Sequence, residues 1–172
     1  MDLLSLGAEV MHRKWKIAVT VVAVAGVSVA AVAATSPSEN AVEKALDIVP
    51  AMGVQQQVSD RLPEAASKTF SPTGIDLASV RLVGKTTNAQ YFAAAMGTDQ
   101  ICIVTAGHDG SGQMMGCTFV KGFEGYGLRV ANPDKSEEAW LVVPGSTQAA
   151  AASDPGKWDA TASNFLVKET SR

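Results

Sequence analysis

The sequence predicts an α+β protein, mostly β, carried behind an N-terminal apolar helix that serves as a signal or transmembrane segment. Three observations predict it. Residues 17–34 form an uncharged apolar run behind a basic flank. A capping box then opens a short amphipathic helix, and from Arg81 onward short apolar runs alternate with turn residues. Such spacing describes an antiparallel meander that forms a small sandwich or open barrel.

The apolar run comes first. Ile17–Ala34 is eighteen residues of Val, Ala and one Ile, interrupted only by Thr20, Gly26 and Ser28. As a helix it is about 27 Å long, close to the thickness of a bilayer's hydrocarbon core. Its seven valines and single isoleucine favour insertion by only about 2.5 kcal/mol, so the span is marginal. Arg13, Lys14 and Lys16 precede it, and no further cation occurs before Lys44. Positive charge stays inside, so residues 1–16 read as a cytoplasmic n-region with the body outside. Trp15 stands where an interfacial aromatic would. Ala31-Val32-Ala33 offers signal peptidase a cut after Ala33. The run is longer than an ordinary cleavable core, which favours a retained single-pass anchor over secretion. No cysteine follows, which excludes a lipoprotein anchor. Met11 is a second candidate start, because Met11–Lys16 alone makes a compact n-region.

Removing residues 1–34 takes three cations from 14 and two acids from 17, leaving the body at a net charge of −4. A mildly acidic body excludes nucleic acid as a partner, since phosphate binding needs a concentrated basic face. The partners expected are the membrane, through residues 17–34, and a cell-envelope protein.

Residues 35–79 read as a linker with an amphipathic helix and an irregular segment. Ser36 as N-cap, Pro37 at the first helical position and Glu39 three residues after the cap start the helix. Ala41, Val42, Ala45, Leu46 and Val49 share one face, and Pro50 with Gly53 ends it. Residues 54–79 hold Pro63, Pro72 and Gly74, which leaves room for one short helix around Asp60–Ser67. Residues 80–172 form the β-rich extracytoplasmic domain. Its apolar runs are Arg81–Lys85, Gln90–Met96, Gln100–Ala106, Met114–Lys121, Tyr126–Val130, Ala139–Val143 and Asn164–Lys168. The Ala149–Ala152 stretch reads as a surface excursion.

Cys102 and Cys117 are the only cysteines. An even count in an exported chain reads as a bridge. The two are equidistant from Asp109-Gly110, a strong hairpin signal. Symmetry about that step pairs Val104 with Met115, Cys102 with Cys117 and Gln100 with Phe119. A two-residue Asp109-Gly110 turn would make the cysteines a hydrogen-bonded pair, whereas a four-residue loop from His108 to Ser111, favoured by its flanking glycines, puts them at a close, non-hydrogen-bonded site. The bridge is worth roughly 3 kcal/mol by chain entropy. Metal binding would need closer cysteine spacing and more ligands than the body's one histidine supplies.

No catalytic, cofactor or metal residues are assigned. His108, Asp109 and Ser111 are the residue types of a hydrolase triad, but consecutive side chains at a hairpin tip diverge, whereas a triad converges from separate elements. Glu137-Glu138 reads as a solvated edge rather than a pair of catalytic carboxylates. Gly122, Gly125 and Gly127 precede a strand, not a helix, so they mark a bulge or tight corner rather than a phosphate loop. Trp140 and Trp158 read as core or rim residues, and Phe123, Tyr126 and Trp158 together make a conceivable binding surface. The function expected is a structural or interaction domain outside the cytoplasm. The alternative is a secreted hydrolase or inhibitor-like effector acting at the cell envelope.

A sparse pattern runs through residues 60–168: Leu62-Pro63, Arg81-Leu82-Val83-Gly84, Ile101-Cys102-Ile103, Gly116-Cys117, Gly127-Leu128-Arg129, Val143-Pro144 and Asn164-Phe165-Leu166-Val167. In this it resembles a loose group of small exported or membrane-anchored actinobacterial proteins of unknown function with a disulfide-bridged β-hairpin. It departs from them after Pro144, where Gly145-Ser146 replaces an expected Asp-Gly. The resemblance implies secretion or tethering and a bridged hairpin. It implies no activity.

Overall fold

The computed structural model describes Ala45 and residues 47–132, 134–153 and 156–170. All of them belong to the compact unit Pro37–Arg172. The apolar run 17–34 and most of the amphipathic helix expected after Ser36 lie outside the described residues. Among the described residues no helix is long and apolar enough to cross a membrane. Ala45, Asp47 and Ile48 are helical. Val49 N–H donates to the Ala45 carbonyl at 2.9 Å, and Pro50 then opens a 3₁₀ turn to Gly53. Ala45, Val49 and Met52 are buried in the central core.

Among the described residues eight strands build two four-stranded antiparallel sheets, and no barrel closes. In the first sheet β1 (Arg81–Lys85), β2 (Gln90–Met96), β3 (Gln100–Ala106) and β4 (Met114–Phe119) lie in sequence order. The second contains β5 (Leu128–Ala131), β6 (Glu137–Leu141), β7 (Asp159–Ala162) and β8 (Phe165–Glu169), in the order β5-β6-β8-β7. Among the described residues, besides helical Ala45, Asp47 and Ile48, α-helices run at α1 (Glu64–Phe70), α2 (Val120–Tyr126) and α3 (Thr147–Ser153).

The two sheets share one core. Tyr91, Ala93, Ile101 and Ile103 of the first meet Val130, Leu141, Phe165 and Val167 of the second. The opposite face of the first sheet carries Phe92, Ala94, Val104 and Ala106, which α1 covers with Ala66 and Phe70. Alternate side chains along β2 and β3 therefore enter two different apolar layers, and both strands read as unbroken apolar runs. The second sheet's outer face carries Trp140, Val142 and Leu166, against which α3 packs Ala150.

Several expectations are corrected here. The Ala149–Ala152 stretch is part of helix α3, because Ala150 has an apolar sheet face to bury against. The Met114–Lys121 strand stops at Phe119, and the chain turns into α2, whose Phe123 is fully buried in the central core. β7 was not anticipated, since its four residues, Asp159–Ala162, are all exposed and carry no apolar alternation. In the linker, the helix runs Glu64–Phe70 instead of Asp60–Ser67. Pro63 at its N-cap is extended and cannot lie inside a helical turn.

Two buried polar residues order the segment before β1. The Arg81 guanidinium donates to Val54 O through Nε (2.9 Å) and Nη2 (2.7 Å), and through Nη1 to Ala78 O and Val80 O (both 2.8 Å). Asp60 accepts from Leu82 N–H at 3.1 Å and from Gln57 N–H at 2.7 Å. The irregular chain is thus pinned to the first strand by hydrogen bonds rather than by secondary structure.

The β3–β4 register is the one symmetry about Asp109-Gly110 predicts: Val104 faces Met115, Cys102 faces Cys117 and Gln100 faces Phe119. Cys102 and Cys117 form a disulfide with Cα atoms 4.0 Å apart, the spacing of a close pair rather than a hydrogen-bonded one. The loop is shorter than the four residues expected. Gly107 N–H donates to Ser111 O (2.7 Å) and Gly110 N–H to Gly107 O (2.9 Å), closing a turn around His108-Asp109-Gly110. Gly110 takes a left-handed φ of 80°, which tightens the turn by one residue at no side-chain cost.

Candidate binding groove

The outer face of the second sheet holds the chemistry. Alternation sends Leu128 and Val130 of β5 into the core and Arg129 outward. Directly across the ladder lies Trp140 of β6, and the guanidinium carbon of Arg129 sits 3.8 Å from the centre of an indole ring of Trp140. Such cation–π stacking contributes about 0.5–1 kcal/mol when exposed. Trp158, leading into β7, lies beside Trp140 with ring centres 5.4 Å apart. Lys168 stands 4.5 Å from the ring centre of Trp158, and its Nζ pairs with Glu138 Oε2 at 2.8 Å. Cations and indoles therefore alternate across the face: Trp140, Arg129, Trp158, Lys168.

Trp140 is fixed from its other end. Its Nε1–H donates to the Tyr126 carbonyl at 2.9 Å, where α2 ends. The chain can pass there only because residue 127 is glycine. Its φ is +65°, and a Cβ would come within 2.3 Å of Leu141 O and 2.8 Å of Trp140 Nε1. The glycine run expected as a bulge or corner thus splits into two roles. Gly122 and Gly125 lie within α2, and Gly127 makes the tight corner behind it.

Between the end of α2, this sheet face and α3 lies an open groove of about 620 Å³, within the range of small-ligand sites. Arg129 and Trp140 form part of its lining with Val142 and Val143, Ala149 belongs to the α3 side, and Tyr126 stands at its rim. Tyr126 is 84% exposed, while Trp140 is only 6% exposed. The groove offers a cation held on a rigid indole, an aliphatic wall and an exposed phenol. The chain matches no family model, no curated protein and no solved structure. The reading of this groove therefore rests on its own geometry.

The residues considered from sequence are dispersed. The disulfide lies in the first sheet, away from the groove's lining. Of the surface suggested by Phe123, Tyr126 and Trp158, Phe123 is core and does not contribute, Tyr126 lines the groove, and Trp158 lies beside it. His108 Nε2–H donates to Thr86 O at 2.9 Å. Asp109 accepts from Ser111 N–H at 2.9 Å. The hydrogen bonds from Ser111, its side chain first and then its backbone, hold the Asp109 carboxyl below the usual carboxylate range. This turn is internally satisfied, with His108 directed at a neighbouring hairpin rather than bridging Asp109 and Ser111.

Glu137 corrects the solvated-edge reading. It is 2% exposed and points between the sheets, while Glu138 faces outward to Lys168. Glu137 accepts from Thr86 Oγ1 (2.7 Å), Asn88 Nδ2 (2.8 Å) and Tyr91 OH (2.8 Å). Its backbone N–H donates to Asn132 Oδ1 at 2.9 Å. A carboxylate so placed ties the β1–β2 turn to the second sheet, and three donors offset its desolvation. The recess beside this network is about 200 Å³, below the range of ligand sites.

Sequence reasoning missed Arg129 as a site residue. The available signal was alternation: Leu128 and Val130 bracket it with the inward period, which leaves position 129 outward. Its stacking on Trp140 depends on the β5–β6 register, which one strand alone does not specify.

Proposed function

We propose that this chain is an extracytoplasmic interaction domain, tethered through residues 17–34 or released after Ala33, that holds a ligand in the groove beside Arg129. One observation carries the reading: a stacked cation, an aliphatic wall and an exposed phenol converge on one concave surface of ligand size. The uncharged run behind Arg13, Lys14 and Lys16, and the pattern shared with small exported actinobacterial proteins, support a place outside the cytosol and a cell-envelope partner. A hydrolase would need His108 between an acid and a nucleophile. Its bond to Thr86 O favours the structural reading of that turn.

The test uses the full-length protein with a C-terminal tag. Intact mass of material from membrane and from medium reads retention or cleavage near Ala33. Photo-crosslinking from the groove rim in intact cells then compares wild type with Ala149→Trp, which fills the groove from an exposed position. The reading expects a discrete adduct that Ala149→Trp removes. It fails if the adduct is indifferent to that substitution, or if the whole product is cytosolic with both thiols free.

A further inference from the structure

We infer that the surface carrying Val54, Val58 and Leu77 rests on lipid, at the outer leaflet of the membrane that residues 17–34 enter. The assignment depends on the tethered reading above and is independent of the groove beside Arg129. Five large apolar side chains are exposed among the described residues, and three of them belong to the irregular segment before β1: Val54 (60%), Val58 (81%) and Leu77 (37%). They are neighbours. Val54 and Gln57 are extended, and from between them Gln56 Nε2 donates to Leu77 O at 2.9 Å and Val80 O at 3.1 Å. Val58 opens the 3₁₀ turn that follows, Val58–Asp60. Their mount is fixed. Arg81 holds Val54 O, and Asp60 holds the N–H groups of Gln57 and Leu82. Those buried hydrogen bonds set the backbone so that the valines stay outside, against the tendency of apolar side chains to leave water.

Chain connectivity says what covers them. The turns Pro50–Gly53 and Val58–Asp60 both lie along β1, an edge strand of the first sheet. The chain therefore enters the domain and displays the valines along one sheet edge. Ten residues, 35–44, separate Ala34 from Ala45. Ten residues span at most about 35 Å when extended and about 15 Å as a helix. A bilayer that holds residues 17–34 is thus within reach of this edge, at the high effective concentration a short tether imposes. The flanking charges suit it. Arg61 and Lys68 are exposed and line one groove with Leu77, and such side chains lay their stems on apolar surface while the cation reaches lipid phosphate. Lys68 shares its charge with Glu64 at 2.6 Å, which leaves Arg61 the stronger contributor. A protein partner would ask for a well-packed patch of about 800 Å² with aromatic or arginine anchors at its centre. Three separate aliphatic side chains do not supply that, whereas a lipid interface requires no matching shape.

The experiment reconstitutes the full-length protein in nanodiscs of phosphatidylglycerol and phosphatidylcholine, with a fraction of the lipid carrying a nitroxide just below the headgroup. Val58→Cys, Leu77→Cys and, as an exposed reference on α2, Tyr126→Cys each carry an environment-sensitive fluorophore, the native disulfide being kept oxidised. The labels at 58 and 77 are expected to shift to the blue and to be quenched at least threefold more than the label at 126. Adding Val54→Asp and Val58→Asp together should lower quenching at 77 at least twofold. Both replaced side chains are exposed, and an unchanged thermal midpoint establishes that the variant is folded. Equal quenching at all three sites, no quenching at 58 and 77, or indifference of the label at 77 to the two aspartates overturns the inference while tethering stands. A full-length product that alkaline carbonate extracts from cell membranes overturns the tethered reading and the inference together.

Discussion

Tyr91 and Glu137 show how one pair of side chains can join two sheets. The phenol is fully buried and donates to a carboxylate on the facing sheet. Burial first, then the hydrogen bond to Glu137, raise its ionisation above the ordinary value of 10.0. The unfolded chain therefore loses the phenolic proton near pH 10 while the native state keeps it. The stability contributed is complete below that pH and declines as pH rises above it. Urea midpoints measured from pH 8 to 11 should fall, and Tyr91→Phe should flatten that part of the decline. At neutral pH the same substitution leaves Glu137 one donor short, for a cost of about 1–3 kcal/mol. Gly84 makes a second residue-scale prediction. A Cβ there would lie 2.4 Å from Cε1 of Phe165, a fully buried ring. Gly84→Ala should destabilise by about 1–3 kcal/mol, read from urea unfolding, because the ring must leave its packed position.

Among the elements, the β3–β4 hairpin was the most legible. Asp109-Gly110, the flanking apolar runs and the cysteine spacing all encode one register, and that register is observed. Its disulfide should contribute about 3 kcal/mol. Replacing Cys102 and Cys117 by alanine should lower the urea midpoint accordingly without changing the fold, as near-ultraviolet dichroism would show. The segment before β1 was far less legible, because Arg81 orders it with four hydrogen bonds to carbonyls of residues 54, 78 and 80. Arg81→Met keeps the apolar stem but leaves those carbonyls unsatisfied. A loss of about 2–4 kcal/mol is expected, with hydrogen exchange rising first across residues 54–80. α2 and α3 were missed for a related reason. Each has only seven residues, too short for isolated stability, and each is helical because of what it packs on.

At the scale of the whole domain, the two sheets with α1 and α3 on their outer faces explain why sequence periodicity was uneven. Central strands between two apolar layers lose the alternation that edge strands keep. The candidate site belongs to this scale too. Its residues come from α2, β5, β6, α3 and the connections between them, separated by up to 29 positions between Glu124 and Ser153, and they meet only when the second sheet forms. Gly127→Ala tests that dependence. It should displace Trp140 and quench or shift its emission along with the loss of stability, since the added Cβ would overlap both the indole nitrogen and the β6 backbone.

What the sequence determined by itself was local: strand-length apolar runs, the turn at Asp109-Gly110, the pairing of two cysteines, and the uncharged stretch with its cationic flank. Each is written within a few dozen residues, where chain connectivity limits the alternatives. Tertiary structure alone decided that Glu137 is buried, that Phe123 is core and Tyr126 is not, and that Arg129 lies on Trp140. Those outcomes depend on which faces of distant elements come together, and contact between such faces is a property of the assembled layers rather than of any one segment.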